Sequence, residues 1–394
     1  MSKIIPPHIR DLAPYVPGRL IEEVEAELGL SNIIKLASNE NSLGPSPKAL
    51  AAMAAALPRV HRYGDAASRA LKEALAKRFD YDLSTLIAGN GSSEFILVLA
   101  HALLGPGLKA VMSKPSFTLY AKNAQAAGSE VLEAPLTSDH RHDLEALSRL
   151  VDERTRLVFL DNPLNPTGAW LDRDELTAFY LSLPDSTVLV VDEAYVEFAR
   201  RPRVDWRPFL RSPGRLMVMR TFAKAYGLAG MRAAYALIDP TLGAMMDKVR
   251  QPFNMNVLAQ VGAAAAIGDQ EFLDRTLNMT WSSLDRLAAE FRRLGLGPSP
   301  TEANFMMIDL MGRSADDIFQ AVLRRGVITR SLTSFGLPGH LRVNAGLPEE
   351  TEALLRAMEE TLKDPKWGLS PPQGGSAETG RPGTGLSSSS PDLK

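Results

Sequence analysis

The sequence lacks several features that would place it in other classes of protein. Its 394 residues include no cysteine, which excludes disulfide bonds, thiolate metal sites and cysteine nucleophiles. Its 44 basic and 46 acidic side chains nearly balance, so there is no excess of positive charge for nucleic acid or an anionic membrane. Apolar runs such as FILVLAHALLG fall short of the roughly 20 residues that cross a bilayer, and the N-terminus has no apolar signal core. We therefore expect a soluble, cytoplasmic protein without nucleic-acid or membrane partners.

Short apolar runs alternate with helical patterns through most of the chain. The runs at 109–112, 156–160, 187–191 and 216–219 have the character of buried strands, and each precedes a loop and a helix-like segment. An amphipathic helix is predicted at 68–79, with Ser68 as its N-cap. This order is typical of a parallel sheet flanked by helices, which predicts an α/β fold.

The pattern changes after about residue 270. Helices are predicted at 271–294 and 314–325, followed by strand-like segments, which indicates a smaller α+β domain. The last 25 residues contain 15 Gly, Pro or Ser and predict a disordered tail. We divide the chain into an N-terminal arm that is part of the small domain, a large ligand-binding domain, a C-terminal small domain and the tail, at 1–44, 45–268, 269–369 and 370–394.

Polar residues follow three of the predicted strands. DNPLNPTG comes after the run at 156–160, DEAY after 187–191, and RTFAK after 216–219. Ligands of open α/β sheets bind beyond the carboxyl ends of the strands, so these residues are the candidates for a site. Lys224 is the most informative of these residues. A lysine near a buried strand is costly to desolvate unless its charge is used or neutralised, so its position indicates a function or a charged partner.

Other common site motifs are absent or incomplete. GNGSSE at 89–94 lacks the third glycine of a dinucleotide fingerprint, and no GxxxxGK[ST], HExxH or GxSxG occurs. HRH at 140–142 lies in a charged run, where we expect a solvated loop and no metal site.

The remaining residues favour pyridoxal phosphate as cofactor. A lysine amine forms Schiff bases with carbonyl compounds, and this cofactor needs an acidic partner at its ring nitrogen. Lys224 and Asp192 suit these two roles. The phosphate would suit a helix N-terminus and a guanidinium, which the sequence offers at Gly91, Ser92, Ser93 and Arg232.

Each candidate also has a purely structural interpretation. Lys224 could lie on the surface, with Lys114 as its rival, and Asp192 could cap a helix. Asn165 could belong to an ordinary turn, and Arg232 could pair with a surface carboxylate. One cofactor site explains all of these strand-end residues together.

These residues resemble a known family, the fold-type I pyridoxal-phosphate aminotransferases, and within it the histidinol-phosphate aminotransferase branch. The resemblance runs from about residue 8 to residue 363 and rests on seven motifs in the family's order: YVPGR, NENSLGPSP, GNGSSE, NPLNPTG, DEAYVEF, RTFAKAYGLAGMR and FGLPGHLRVNAG. It implies a mostly parallel central sheet of the seven-stranded type flanked by helices, a small α+β domain from both chain ends, and a homodimer.

The resemblance also implies roles for individual residues. Lys224 would hold the cofactor and move the substrate proton, and Asp192 would keep the ring nitrogen protonated. Tyr195 and Asn165 would bind the ring's phenolic oxygen. The remaining cofactor contacts would be Phe117, stacked on the ring, and a phosphate cradle of Gly91, Ser92, Ser93, Thr221 and Arg232.

For the substrate, the resemblance implies that Arg342 grips a carboxylate and that Arg330 helps to bind a phosphate. Asn165, Tyr15 and Tyr63 would assist, and Tyr63 would reach across a dimer interface; interfacial or core packing is the alternative for both tyrosines. The sequence departs from the family at Ala223, Gly64 and Ser331, where relatives usually carry Ser or Thr, Pro and Pro respectively.

The resulting hypothesis is a transaminase acting on L-histidinol phosphate and 2-oxoglutarate in histidine biosynthesis. Two alternatives share the same skeleton, an aromatic amino-acid aminotransferase for phenylalanine or tyrosine and a threonine-phosphate decarboxylase. A fourth interpretation, from another class, is a catalytically idle cofactor-binding module that acts in regulation.

Overall fold

A computed structural model describes residues 4–14, 18–212 and 214–367. The predicted tail at 370–394 and the candidate Tyr15 lie outside the described residues. In chain order the strands are β1 (Ile34–Lys35), β2 (Leu86–Gly89), β3 (Lys109–Lys114), β4 (Glu130–Pro135), β5 (Thr155–Asp161), β6 (Val188–Asp192), β7 (Leu216–Thr221), β8 (Ala234–Ile238), β9 (Gly297–Pro298), β10 (Phe305–Asp309), β11 (Val327–Ile328), β12 (Arg330–Ser331) and β13 (His340–Asn344).

The helices surround these strands and occupy most of the segments between them. They are α1 (Pro7–Arg10), α2 (Ile21–Leu28), α3 (Pro47–Ala56), α4 (Arg69–Phe79), α5 (Ser92–Leu103), α6 (Leu119–Ala126), α7 (Leu144–Leu150), α8 (Arg173–Ser182), α9 (Pro240–Met246), α10 (Val257–Ile267), α11 (Gln270–Arg293), α12 (Ala315–Leu323) and α13 (Pro348–Leu362). The helices predicted at 68–79, 271–294 and 314–325 are α4, α11 and α12, with ends that differ by two residues or fewer.

The central sheet contains seven strands within the described ranges, in the spatial order β2-β8-β7-β6-β5-β3-β4. Every neighbouring pair is parallel except the two that involve β8, which runs antiparallel to β2 and β7. The predicted mostly parallel sheet flanked by helices is therefore confirmed.

Alternate residues of the central strands enter two separate cores. In β5, Val158 and Leu160 pack in a core with α4, α7, α8 and α10, whereas Leu157 and Phe159 pack in another with α5, α6 and α9. Both faces of the strand are covered, which explains why its sequence is continuously apolar. Because β5, β6 and β7 are neighbouring parallel strands, their carboxyl ends lie side by side at the same end of the sheet.

The start of α4 differs from the expectation. Ser68 precedes the helix, but its backbone is left-handed with φ +47°, and its side chain makes no capping hydrogen bond. The carboxylate of Asp65 takes that role, accepting hydrogen bonds from the amides of Ala67 and Arg69 at 2.9 and 2.7 Å. Ser68 does occupy the N-cap position, but the prediction of a side-chain cap was wrong, because its left-handed backbone is not the extended conformation in which a cap side chain reaches the helix amides.

A second, smaller unit joins the two ends of the described chain. Within those ranges β12, β13, β10 and β9 form an antiparallel sheet, and β1 pairs in parallel with β11. Leu36, just after β1, is buried in the same core as residues of α11, α12 and α13. These contacts support our proposal that 1–44 and 269–369 form one small domain beside a large domain at 45–268. Among the described residues, no helix has the length and apolar character needed to cross a bilayer.

Gly227 holds the loop after β7 against the segment that follows β1. Its φ is +68°, and a β-carbon at this position would overlap the main-chain carbonyl of Gly44. Gly230, three residues later, has an ordinary φ and open space around the same position.

We predict that Gly227→Ala lowers the free energy of unfolding by about 3 kcal/mol, because the methyl group meets both a left-handed backbone and a carbonyl that cannot rotate away. Urea denaturation of the apoprotein measures the change. The matched control, Gly230→Ala, should alter the free energy by less than about 0.5 kcal/mol. Equal effects of the two substitutions would contradict the close approach.

Candidate active site

One cavity of about 130 Å³ lies where β5, β6 and β7 end and where α5 begins. Nine of the residues proposed from the sequence line it: Ser92, Ser93, Phe117, Asn165, Asp192, Tyr195, Thr221, Lys224 and Arg232. Four further residues complete the lining: Tyr120, Asp161, Ala194 and Ala223. The structure therefore brings most of the predicted cofactor residues together around a single space.

Lys224 lies in the loop after β7 and is half-buried at the cavity. Its Nζ donates a hydrogen bond to the carbonyl of Ser38 at 3.1 Å and lies 5.6 Å from the centre of the Tyr195 ring. Loss of hydration, aided by the nearby guanidinium of Arg342, lowers the pKa of Lys224 to about 8. A useful fraction of this amine is therefore neutral and nucleophilic near neutral pH.

The rival lysine has a different environment. The Lys114 side chain is two-thirds exposed and pairs with the carboxylate of Glu133 at 2.6 Å, outside the cavity lining. This is the geometry of an ordinary surface ion pair.

Asp192 is the last residue of β6 and presents a carboxylate to the cavity. Its Oδ2 accepts a hydrogen bond from the hydroxyl of Tyr120 at 2.9 Å, and its Oδ1 accepts one from the amide of Ala194 at 3.1 Å. Burial raises the pKa of Asp192 to about 6, and the two donors oppose that rise. The group is therefore mostly ionised at neutral pH.

The N-terminus of α5 and the guanidinium of Arg232 form the cationic end of the site. Gly91 precedes the helix with φ +81°, and a β-carbon there would overlap the Arg232 side chain. Glycine therefore lets the guanidinium approach Ser92 and Ser93, although Gly91 is not part of the lining. Together, helix amides and a guanidinium make an anion site. The Thr221 hydroxyl already donates to the carbonyl of Ala233 at 3.2 Å.

Aromatic rings and amides form the walls. The Phe117 ring meets the edge of Tyr120 at 5.5 Å, and Tyr120 stacks on Phe159 at 4.7 Å. The Tyr195 hydroxyl accepts a hydrogen bond from the side-chain amide of Asn39 at 3.0 Å. Burial raises the pKa of Tyr195 to about 12, so its hydroxyl stays protonated and able to donate.

The two predicted substrate arginines occupy neighbouring strands of the small sheet. Arg330 in β12 and Arg342 in β13 are direct cross-strand partners, which places their side chains on one face. Arg342 donates to the Asn165 side-chain oxygen and to the Ala37 carbonyl, so it reaches the cavity through Asn165. Arg330 lies 6.0 Å from the centre of the Phe335 ring. Like charges opposite each other are unfavourable unless an anion binds beside them.

Tyr63 lies apart from the cavity. It is 82% exposed, and its ring stacks on Phe253 with the centroids 4.4 Å apart. Core packing within the described chain is therefore excluded for this residue.

His142 contradicts the expectation of a solvated loop at 140–142. It is only 4% exposed, its Nε2 lies 2.9 Å from the main-chain oxygen of Asp161, and its Nδ1 lies 2.7 Å from the Ser113 hydroxyl. A bridge between Leu136 and His142 folds the run back against the central sheet, which its charged sequence does not reveal. The described residues contain no cluster of three or more acidic or histidine side chains suited to a metal ion.

The residues present fit pyridoxal phosphate. An anion site at one end suits the phosphate, the Asp192 carboxylate suits a basic ring nitrogen, and the Lys224 amine suits an aldehyde between them. Phe117 and Ala194 add apolar walls for a flat ring.

Sequence reasoning missed three polar groups of this site: Tyr120, Asp161 and Asn39. Asp161 starts DNPLNPTG and Asn39 starts NENSLGPSP, whereas Tyr120 lies three residues after the candidate Phe117. The position of Asp161 directly after an apolar run is the same signal that identified Asp192. Nothing local indicated that the Tyr120 hydroxyl turns toward Asp192.

The chain is similar to known aminotransferases along most of its length. Residues 31–358 match the family model for aminotransferase class I and II. The histidinol-phosphate aminotransferase of Anaeromyxobacter sp. (strain Fw109-5) is 42% identical over 360 residues, 91% of this chain and 99% of that relative. Histidinol-phosphate aminotransferase 2 of Pseudomonas fluorescens (strain Pf0-1) is 43% identical over 90% of this chain and 96% of its own length.

A solved structure is also similar throughout. The crystal structure of histidinol-phosphate aminotransferase from Sinorhizobium meliloti in complex with pyridoxal-5'-phosphate has a TM-score of 0.83 and 29% sequence identity. The similarity covers 91% of this chain and 97% of that one.

Tyr120→Phe should shift the pH dependence of cofactor binding. The substitution keeps the ring but removes a donor that favours ionised Asp192, which raises the pKa of Asp192 by about one unit. Asp192 is ionised above its pKa and becomes protonated as pH falls through about 6. The affinity for the cofactor should therefore decrease as pH falls, and in the variant this decrease should begin at a higher pH. Titration of the apoprotein with pyridoxamine phosphate, which cannot couple to Lys224, measures the shift.

Tyr180→Phe is the matched control, since the Tyr180 hydroxyl contacts Phe209 and Arg215 well away from the cavity. In this control the affinity for pyridoxamine phosphate should fall at the same pH as in the unaltered protein. If the affinity of Tyr120→Phe also falls at that pH, the Tyr120 hydroxyl does not favour the ionised form of Asp192.

Proposed function

The chain belongs to the aminotransferase class I and II family, and from that premise we propose that it transfers an amino group between L-histidinol phosphate and 2-oxoglutarate in histidine biosynthesis. The observation that carries the proposal is the pair of arginines Arg330 and Arg342, which are cross-strand partners in the small sheet, with Arg342 bound to Asn165 of the cavity lining. The relatives that cover nine-tenths of the chain and bear this activity in their names support it.

The cofactor of this reaction is pyridoxal phosphate, which supplies a pyridine ring that takes up the electron pair left when the substrate α-carbon loses its proton. Ser92, Ser93 and Arg232 bind its phosphate. Asp192 holds a proton on the ring nitrogen, because a desolvated carboxylate favours a cationic partner. The hydroxyl of Tyr195 donates to the ring's phenolic oxygen, together with Asn165.

Lys224 moves the substrate proton. Its Nζ has a pKa lowered to about 8, so the amine accepts a proton from the α-carbon and gives it up again near neutral pH. The carbonyl of Ser38 orients the amine at 3.1 Å.

The arginines account for both substrates. Histidinol phosphate carries a phosphate near its reacting carbon, whereas glutamate and 2-oxoglutarate carry carboxylates. A guanidinium binds either anion through two parallel hydrogen bonds. We assign the carboxylate to Arg342, which Asn165 and Ala37 hold in place, and the phosphate mainly to Arg330.

A homodimer with shared sites is part of the proposal. Tyr63 and Phe253, which stack on each other, are both exposed, and exposed apolar side chains precede each of them along the chain: Leu50, Leu57, Val60, Met245 and Val249. We infer that these residues form part of the interface between subunits, since an apolar patch on a surface is typical of one. In this arrangement Tyr63 enters the active site of the partner subunit.

A substrate panel on the purified protein tests the activity. The unaltered protein should convert histidinol phosphate with a higher kcat/KM than phenylalanine. Arg330→Ala should lower kcat/KM for histidinol phosphate roughly 10- to 100-fold and change that for phenylalanine much less, because only the phosphorylated substrate loses a charged hydrogen bond.

Arg324→Ala, which removes an exposed arginine at the end of α12, serves as the control and should change neither value. Faster turnover of phenylalanine would overturn histidinol phosphate as the substrate. Carbon dioxide release from threonine phosphate would instead identify the decarboxylase. Equal decreases in kcat/KM for histidinol phosphate and phenylalanine would contradict the assignment of the substrate phosphate to Arg330.

Subunit mixing tests the shared site. Lys224→Ala and Tyr63→Ala should each be impaired alone, but exchanged subunits should regain activity, since one site of each mixed dimer then contains Lys224 from one subunit and Tyr63 from the other. Mixing Lys224→Ala with Leu181→Ala, which removes an exposed apolar side chain on α8, is the reference; full recovery in the first mixture corresponds to about half of its activity, because the Leu181→Ala homodimers are also active. A monomer in sedimentation, or no recovery on mixing, would contradict the shared site.

A further inference from the structure

Two carboxyl groups end neighbouring strands at the floor of the cavity. Asp161 closes β5, Asp192 closes β6, and the two residues are partners in the parallel register. They are 3% and 4% exposed, and both line the cavity. Two acids this close in a medium of low polarity do not both ionise readily, so the pair tends to keep one proton.

Hydrogen bonding decides which of the two acids is ionised. Asp192 receives a hydroxyl donor from Tyr120 and an amide donor from Ala194, and both favour its charged form. Asp161 receives the amide of Asn165 on Oδ2 at 2.8 Å, and its own amide and the hydroxyl of Ser116 lower its pKa to a smaller extent. In the part of the chain that the structure describes, its Oδ1 meets no donor with the geometry of a hydrogen bond. The negative charge is therefore better placed on Asp192.

His142 does not neutralise Asp161. A carbonyl oxygen can only accept, so the contact of His142 with the main-chain oxygen of Asp161 puts the imidazole proton on Nε2. The other nitrogen, Nδ1, is then the acceptor for the Ser113 hydroxyl. Burial lowers the pKa of His142 to about 4, so the ring stays neutral beside the Asp161 carboxyl, with Nε2 3.6 Å from Oδ1.

The other groups around Asp161 leave it protonated. Burial, together with the charge of Asp192, raises the pKa of Asp161 to about 8. The titratable and charged groups that face it across the site are Asp192, Tyr120, Tyr195, His142, Lys224 and Arg232. Of these, Lys224 also titrates near 8, so an experiment must separate the two.

We propose that Asp161 is a positioning residue of the cofactor site, a neutral carboxylic acid that keeps the single negative charge of the strand-end pair on Asp192. The inference rests on the proposed cofactor function. A second negative charge at Asp161, in a site of low polarity, would repel a ligand that carries a phosphate. The site should therefore lose affinity for the cofactor when Asp161 ionises.

The test is binding of pyridoxamine phosphate to the apoprotein, followed by fluorescence, at about pH 7 and about pH 9. In the unaltered protein the dissociation constant should rise between these values, because Asp161 ionises as pH passes through about 8. In Asp161→Asn the ratio of the dissociation constants at the two pH values should be smaller by roughly tenfold. The reason is that pH 9 lies about one unit above the pKa of Asp161, so about nine-tenths of this group is ionised there in the unaltered protein. The titrations of Lys224 and of the probe itself are common to both proteins and cancel in the comparison.

Glu197→Gln is the matched control. Glu197 is also a buried carboxyl with a raised pKa, but it lies outside the cavity lining, so its removal should leave the alkaline rise unchanged. Asp161→Ser, a second neutral variant, should reproduce Asp161→Asn and covers the case in which the amide disturbs folding. The same rise in all four proteins, or an equal flattening in Glu197→Gln, would overturn the role of Asp161. Absence of binding by the unaltered protein at either pH would overturn the cofactor proposal and this inference with it.

Discussion

The desolvation of charged groups at the ends of β5, β6 and β7 is the constraint on which the site depends. Water is removed from the Lys224 amine and from the carboxyls of Asp161 and Asp192, and each pKa moves toward the range in which the group can exchange a proton near neutral pH. The apolar cores on both faces of the sheet create that environment, because they bury the strands up to their last residues.

The second requirement is contact between the two units of the chain. Asn39, from the segment after β1, binds the Tyr195 hydroxyl, and Arg342, from β13, binds Asn165. Each contact joins a residue of the small unit to a residue that follows a strand of the central sheet. A change in how the two units approach each other would therefore alter the hydrogen bonds of Tyr195 and Asn165 directly.

The errors of sequence reasoning have identifiable physical causes. Ser68 has the residue type and the position of an N-cap, but it adopts a left-handed backbone, and the first amide of the helix is bound by the Asp65 carboxylate instead. His142 lies in a charged run, yet a bridge to Leu136 turns it into the interior, where Ser113 and Asp161 satisfy both ring nitrogens. In both cases a competing partner several residues away decided the outcome.

The sequence by itself determined the alternation of strands and helices and the mostly parallel sheet, because apolar periodicity is a local signal. It also identified the polar residues at the strand ends as one set: Lys224, Asp192, Asn165 and Arg232. The tertiary structure alone decided that Tyr120 supports Asp192, that Asp161 shares its environment and that Arg330 faces Arg342. Those relations depend on strand order, register and side-chain direction, which arise only when distant segments pack together. The same packing removes water from the site, and so it sets the ionisation of groups whose identities the sequence had already supplied.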